Sequence, residues 1–92
     1  MPLYPRSSAH VFGLQTSFNL IIDVVANLLT AEKPQEAIDY FSLQVGRLNE
    51  ELKNMHPEYL NSLFDRASVI FSQNASAGIK LYSALQVALF HD

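Results

Sequence analysis

The first third of the chain contains a stretch of 25 residues, from Ser7 to Ala31, that carries a single formal charge, Asp23. Within it, apolar residues recur at alternating spacings of three and four, which is typical of the packed side of an α-helix. These residues are Val11, Leu14, Phe18, Ile21, Val25 and Leu28. Because further leucines, isoleucines and valines lie off this line, we predict a first helix that is buried on nearly all sides. It should be capped by Ser7 or Ser8 and end near Thr30.

The polar residues inside this stretch are also ordered, since four of them step by four along one narrow line of the helix. They are Gln15, Asn19, Asp23 and Asn27. The favoured interpretation is that this line faces water. A second is a buried polar seam that forms hydrogen bonds across a dimer axis and fixes its register. A third is that Asp23, a lone carboxylate in apolar surroundings, acts as a catalytic acid or base.

A second helix is predicted from Pro34, which suits a first helical turn, to about Asn54. Its buried side should be the regular stripe Ile38, Phe41, Val45, Leu48, Leu52 and Met55. Gly46 lies in the middle of this pattern, where glycine costs about 1 kcal/mol relative to alanine. We therefore expect Gly46 to have a packing reason, such as the close approach of another backbone; the alternative is that Gly46 acts as a hinge.

Pro57 marks the start of a third helix, and residues 74–76 can end it and cap a fourth. An alternative is one continuous rod from Pro57 to Phe90, bent near Gly78. The predicted fold class is therefore all-α: a small bundle of four helices, or of three with a long bent last helix. Short connections should make sequential neighbours largely antiparallel. Residues 1–6, which include two prolines, are predicted to form an extended arm, and residues 7–92 a single domain.

The composition adds an argument for self-association. Hydrophobic residues make up 49% of the chain and charged residues only 16%, against about 25% charged in an average soluble domain. A domain this small buries only about 60–65% of its unfolded surface, so apolar area should remain exposed in a monomer. We expect a homodimer or higher oligomer, with the first helix central and the fourth contributing. The interface candidates are Leu14, Phe18, Ile21, Val25, Leu28, Leu85 and Leu89.

Nothing in the sequence matches a catalytic, metal or cofactor motif. The three histidines, His10, His56 and His91, have no second ligand at helical spacing, and there is no cysteine. A net charge of −3 with six scattered basic residues disfavours nucleic acid as a partner. A recognition helix starting at Pro57 would expose one basic residue, Arg66. Polar residues in the first helix disfavour a membrane span or a membrane-surface role, and no secretory signal is evident, so we expect a cytoplasmic protein.

These observations favour a non-catalytic protein–protein interaction module: an adaptor, a small chaperone or an inhibitor of another protein. It would act as a homo-oligomer through apolar helix faces. The alternatives are a small nucleic-acid-binding regulator and, less favoured, a helical enzyme with a site at a helix or dimer interface. A nucleic-acid binder should lose affinity steeply with salt. An enzyme should have a pocket with clustered ionisable groups.

Overall fold

Five α-helices and no strand make up the described part of the chain in a computed structural model. That part is the backbone of residues 4–90 and the side chains of residues 13–90. Helix α1 spans Tyr4–Thr30, α2 Pro34–Arg47, α3 Asn49–Lys53, α4 Pro57–Phe71 and α5 Ala75–Phe90. The all-α prediction is confirmed. The side chains of His10 and Val11, and His91 as a whole, lie outside the described residues.

Helix α1 begins earlier than the sequence pattern predicts. Residues 4–6 were expected in an extended arm, but the helix starts at Tyr4 and includes Pro5. Proline is compatible with this position because the N–H groups of a first helical turn have no partner inside the helix. Ser7 and Ser8 therefore lie inside α1 and do not cap it, and residues 1–3 lie outside the described part of the chain.

The end of α1 is closed by a motif that usually contains glycine. Glu32 has a positive φ of 61°. Its N–H donates to the carbonyl of Leu29 at 3.0 Å, and the N–H of Lys33 donates to the carbonyl of Leu28 at 2.9 Å. This pair of bonds is the Schellman arrangement, which satisfies the last carbonyls of a helix and reverses the chain. Three residues then suffice to bring α2 back against α1.

The predicted second helix is divided into two. Leu48 lies between α2 and α3, and its N–H is shared between the carbonyls of Gln44 and Val45, both at 3.2 Å. The predicted stripe nevertheless continues across the break, because Val45 and Leu52 are both fully buried. The spacing of apolar residues therefore identified the buried side correctly but gave no sign of the break.

The explanation predicted for Gly46 is wrong within this chain. Gly46 is exposed, and a Cβ built on it would meet no atom within 4 Å. No neighbouring backbone approaches this position. Gly46 instead lies two residues before the break at Leu48, where its low helix propensity favours an ending of α2.

Helices α4 and α5 are separate, so the single-rod alternative is wrong. The cap predicted for the last helix is present: the side-chain oxygen of Asn74 accepts from the N–H of Ala77 at 3.1 Å. The turn of residues 72–74 brings α5 back against α4. At Gly78 a Cβ would lie 2.5 Å from the carbonyl oxygen of Phe71. Only glycine lets the two helices approach this closely at their junction.

The four long helices surround one core. Helix α1 packs against α2 and α4, and α5 packs against α2, α3 and α4, so α1 and α5 lie on opposite sides of the bundle. Four rings form a ladder of edge-to-face contacts through the core, one from each long helix. Phe18 contacts Phe41, Phe41 contacts Phe71, and Phe71 contacts Tyr82, with ring centres 6.2, 5.2 and 5.0 Å apart. Such contacts each contribute about 0.5–1.5 kcal/mol beyond simple burial.

Candidate interaction surface

The seven residues predicted to form an interface lie mostly in the core of the single chain. Leu28 is half-buried, and the other six are buried: Leu14, Phe18, Ile21, Val25, Leu85 and Leu89. Their helical spacing marks a covered face, and the other helices of the chain provide the cover: α1 packs against α2 and α4, and α5 packs against α2, α3 and α4. Buried side chains are not available to a partner unless the bundle opens, so a docking surface has to be sought among the exposed residues.

The polar line of α1 is less exposed in its first half than in its second. Gln15 and Asn19 are half-buried, whereas Asp23 and Asn27 are exposed. The carboxylate of Asp23 accepts a hydrogen bond from the guanidinium of Arg66 at 2.7 Å, which links α1 to α4. Because both side chains remain about half exposed, such a pair contributes at most about 1 kcal/mol. A role of this line in a dimer seam stays a prediction.

Among the described side chains, nine large apolar or aromatic ones are exposed, and α5 provides four of them. The nine are Leu20, Val24, Leu43, Tyr59, Val69, Ile79, Tyr82, Val87 and Phe90. On α5 the spacing of four, four and three aligns Ile79, Ser83, Val87 and Phe90 on one side of the helix. We call these four residues the outer stripe. Its three apolar members are 69%, 59% and 72% exposed, in chain order.

Leu43 and Val69 are exposed apolar residues that stand among charges, whereas the outer stripe does not. Leu43 lies four residues from both Asp39 and Arg47, so charged side chains share its surface. By contrast, none of the residues three or four positions away from Ile79 or Val87 is Asp, Glu, Lys or Arg. The signal was present in the sequence, because α5 is apolar on both sides. The predicted interface includes only Leu85 and Leu89 of α5 and therefore misses the outer side of this helix.

Tyr82 lies next to the outer stripe but is held by α4. Its hydroxyl forms a hydrogen bond with the hydroxyl of Ser68, and its ring stacks edge-to-face on Phe71. The ring therefore has a fixed orientation at the junction of the two helices. It borders the outer stripe as a rigid aromatic surface.

An open groove of about 680 Å³ runs between α2, α3 and α5. We call it the α2–α5 groove. Most of its lining is small or apolar, including Val45, Gly46, Ala84, Val87 and Ala88. Three charged side chains also line it: Glu50, Lys53 and Lys80.

Polar and possible metal-ligating side chains lie at or near the surface of the described residues. No polar or charged side chain among them is buried, and no group of three or more metal-ligating side chains comes together. The charged residues of the groove are all exposed, unlike the clustered buried groups expected of an enzyme site. No helix in this part of the chain combines the length and apolar character needed to cross a membrane.

The geometry thus offers an uncharged apolar stripe on α5 and an adjoining groove that carries two lysines. The stripe and the groove share Ser83 and Val87. Arg66, the basic residue that a DNA-reading α4 would present, is engaged with Asp23. Comparison of the chain with protein-family models, curated proteins and solved structures gives no match.

Proposed function

We propose that the protein is a non-catalytic protein–protein interaction module that acts as a homodimer, in the manner of an adaptor, a small chaperone or an inhibitor. The observation that carries the proposal is the outer stripe: α5 has apolar residues on both sides, and one side faces solvent. A helix that is apolar all round is normally covered all round. We place the protein in the cytoplasm as part of this proposal, since a chain without cysteine needs no oxidising compartment.

The arrangement of the outer stripe supports a second copy as its cover. Ile79 and Val87 are each four residues from Ser83, so the stripe is nearly symmetric about a small residue. In a two-fold interface the same patch meets itself. If two α5 helices cross in antiparallel orientation with the axis near Ser83, Ile79 of one copy faces Val87 of the other. The serine side chain is small enough to let the two backbones approach.

The size of the stripe sets the expected strength of the dimer. Burying an exposed valine, isoleucine or phenylalanine contributes about 1.5–3 kcal/mol each. A stable interface needs about 800 Å² from each partner, which is more than one helix face supplies. Association therefore should be reversible, with a dissociation constant in the range of about 1–100 µM.

The test is absolute mass by light scattering after size exclusion, over a hundredfold dilution. We expect the wild-type chain to shift between dimer and monomer in this range. Ile79→Asp should be monomeric throughout, because dimerisation would bury two unpaired carboxylates. Val69→Asp is the matched control, since Val69 is 67% exposed on α4 and lies off the stripe. It should behave as wild type. A wild-type monomer at every concentration would overturn the proposal.

The position of the axis can be tested separately, because the natural chain has no cysteine. Ser83→Cys should form a disulfide-linked dimer under mild oxidation, since a disulfide requires Cα atoms within about 7 Å. Ser62→Cys, exposed on α4, is the matched control and should remain a monomer on a non-reducing gel. Equal cross-linking of both variants would mean random collision and would contradict an axis at Ser83.

A further inference from the structure

The side of α1 that faces away from the core carries a line of six uncharged residues. They follow alternating spacings of four and three, which is typical of the contact line between two packed helices, and all six are exposed. We call them the α1 stripe: Gly13, Ser17, Leu20, Val24, Asn27 and Ala31. Ala31 lies just past the end of α1, but its N–H still donates to the carbonyl of Asn27 at 3.0 Å, so it keeps the helical spacing.

The α1 stripe has the same order of side-chain types from either end: small, polar, apolar, apolar, polar and small. A two-fold interface needs such a pattern, because residue i meets residue j and residue j meets residue i. In an antiparallel pair centred near position 22, Leu20 of each copy lies opposite Val24 of the other. Ser17 then lies opposite Asn27, where a hydroxyl and an amide can form a hydrogen bond. We propose that the α1 stripe pairs in this way with the α1 stripe of a second copy.

The two ends of the α1 stripe leave room for a second backbone. A Cβ built on Gly13 would meet no atom within 4 Å, so nothing described in the same chain fills this position. Antiparallel pairing brings Ala31 of the second copy to it. Because both residues are small, the two backbones can approach closely at each end of the stripe.

The charge nearest the α1 stripe is already neutralised. Asp23 lies beside the centre of the stripe, so the pairing brings the Asp23 carboxylates of two copies toward each other. Two bare carboxylates would repel. Each accepts a hydrogen bond from the guanidinium of Arg66 in its own chain, at 2.7 Å, so two neutral ion pairs approach instead.

The α1 stripe and the outer stripe share no residue and lie on different helices. Helix α1 packs against α2 and α4, whereas α5 packs against α2, α3 and α4. One copy can therefore use both stripes at once, and dimers joined through α5 can be linked further through α1. The α1 pairing does not require the α5 dimer; only growth beyond two copies rests on the proposed function.

The α1 pairing should be the weaker of the two contacts. Each copy contributes two large apolar side chains, Leu20 and Val24, which are 61% and 37% exposed. The outer stripe contributes three, each at least 59% exposed. We therefore expect a dissociation constant above about 100 µM, near about 1 mM.

The test is the absolute mass of Ile79→Asp by batch light scattering, because this variant lacks the α5 contact. It should be monomeric below about 100 µM, and its mean mass should rise by at least about half toward about 3 mM. Adding Leu20→Asp should keep the chain monomeric at every concentration, since pairing would bury carboxylates without partners. Adding Leu43→Asp is the matched control. Leu43 is 54% exposed on α2 and lies off both stripes, so this double variant should behave as Ile79→Asp alone.

Two results would overturn the inference. The first is a monomeric Ile79→Asp at about 3 mM, since the α1 stripe would then fail to recognise itself. The second is an equal loss of mass on adding either leucine substitution, since the effect would then come from charge and not from position.

The orientation is tested by mixing Ser17→Cys and Asn27→Cys chains. Antiparallel pairing brings these two positions together, within the distance of about 7 Å between Cα atoms that a disulfide can span. The two Ser17 positions of a pair, by contrast, lie about 15 Å apart along the helices. The mixture should therefore form a disulfide-linked heterodimer under mild oxidation, while each variant alone stays monomeric on a non-reducing gel. Cross-linking of either variant alone to the same extent as the mixture would contradict the antiparallel pairing.

The wild-type chain and Leu20→Asp separate this inference from the proposed α5 dimer. At about 3 mM the wild-type chain should exceed the mass of a dimer, whereas Leu20→Asp should stop at the dimer. The same weak dimer in the wild-type chain and in Ile79→Asp would support the α1 pairing and remove the α5 dimer. A wild-type dimer that never grows further, with Ile79→Asp monomeric throughout, would do the reverse.

Discussion

The two places where a helical stretch is interrupted without a proline follow different rules. At the α4–α5 junction the chain reverses, Asn74 caps the new helix, and Gly78 lies against the carbonyl of Phe71. At the α2–α3 junction a single residue, Leu48, separates the helices without a side-chain cap, and Gly46 faces open space. A close contact therefore requires glycine at position 78, whereas no neighbouring atom requires glycine at position 46.

Gly78→Ala should have the largest effect of the substitutions that test this comparison. The added Cβ would lie 2.5 Å from a backbone oxygen, so α4 and α5 would have to move apart. We expect a loss of about 2–3 kcal/mol in the free energy of unfolding, larger than any gain in helix propensity. This corresponds to a decrease of roughly 10–20 °C in melting temperature, measured by circular dichroism. An unchanged melting temperature would mean that the contact is not as close as described.

Asn74→Ala should have an intermediate effect at the same junction. It removes the side-chain acceptor for the N–H of Ala77, and loss of such a cap typically costs about 1 kcal/mol. Chemical denaturation measures this loss as a lower midpoint, while the dependence of the unfolding free energy on denaturant concentration stays unchanged. Gln73→Ala, next to it and exposed, is the control and should be neutral within about 0.5 kcal/mol. Equal effects of the two changes would contradict a specific role for the cap.

Gly46→Ala should have the smallest effect and the opposite sign. Since the new methyl group meets nothing within 4 Å, the gain in helix propensity should stabilise the protein by about 0.5–1 kcal/mol. Unfolding by denaturant measures this alongside Gly78→Ala, so the two substitutions form a matched pair. If Gly46→Ala destabilised the protein, a bend at Leu48 that depends on glycine would be the reason, and the contrast between the junctions would disappear.

The contrast between the two junctions also explains which features of the fold could be predicted from the sequence. Local signals identified the start of α4 at Pro57 and the cap of α5 at Asn74, because each acts through bonds to neighbouring residues. The tight contact at Gly78 depends on how α4 and α5 pack at their junction, and the break at Leu48 has neither a proline nor a side-chain cap to mark it in the sequence. The spacing of apolar residues does not contain that information.

The candidate surfaces show a related limit. The spacing on α1 and α5 identified residues such as Phe18 and Leu85 as covered, but not what covers them. In the structure, other helices of the same chain cover these residues, because α1 packs against α2 and α4, and α5 packs against α2, α3 and α4. A helical wheel of α5 would have revealed Ile79 and Phe90 on its other side. The α2–α5 groove could not be predicted, since it combines residues from three helices.

The aromatic ladder has a consequence for how the bundle folds. Its rungs join residues 23, 30 and 11 positions apart along the chain. The first lies within the α1–α2 hairpin and the last within the α4–α5 hairpin, whereas the middle one, between Phe41 and Phe71, joins the two hairpins. A fragment holding α4 and α5 alone would keep the last rung and lose the two that Phe41 makes. The ladder therefore completes only when both hairpins have docked. Folding and unfolding should be all-or-none, with the stability of each helix shared by the other three.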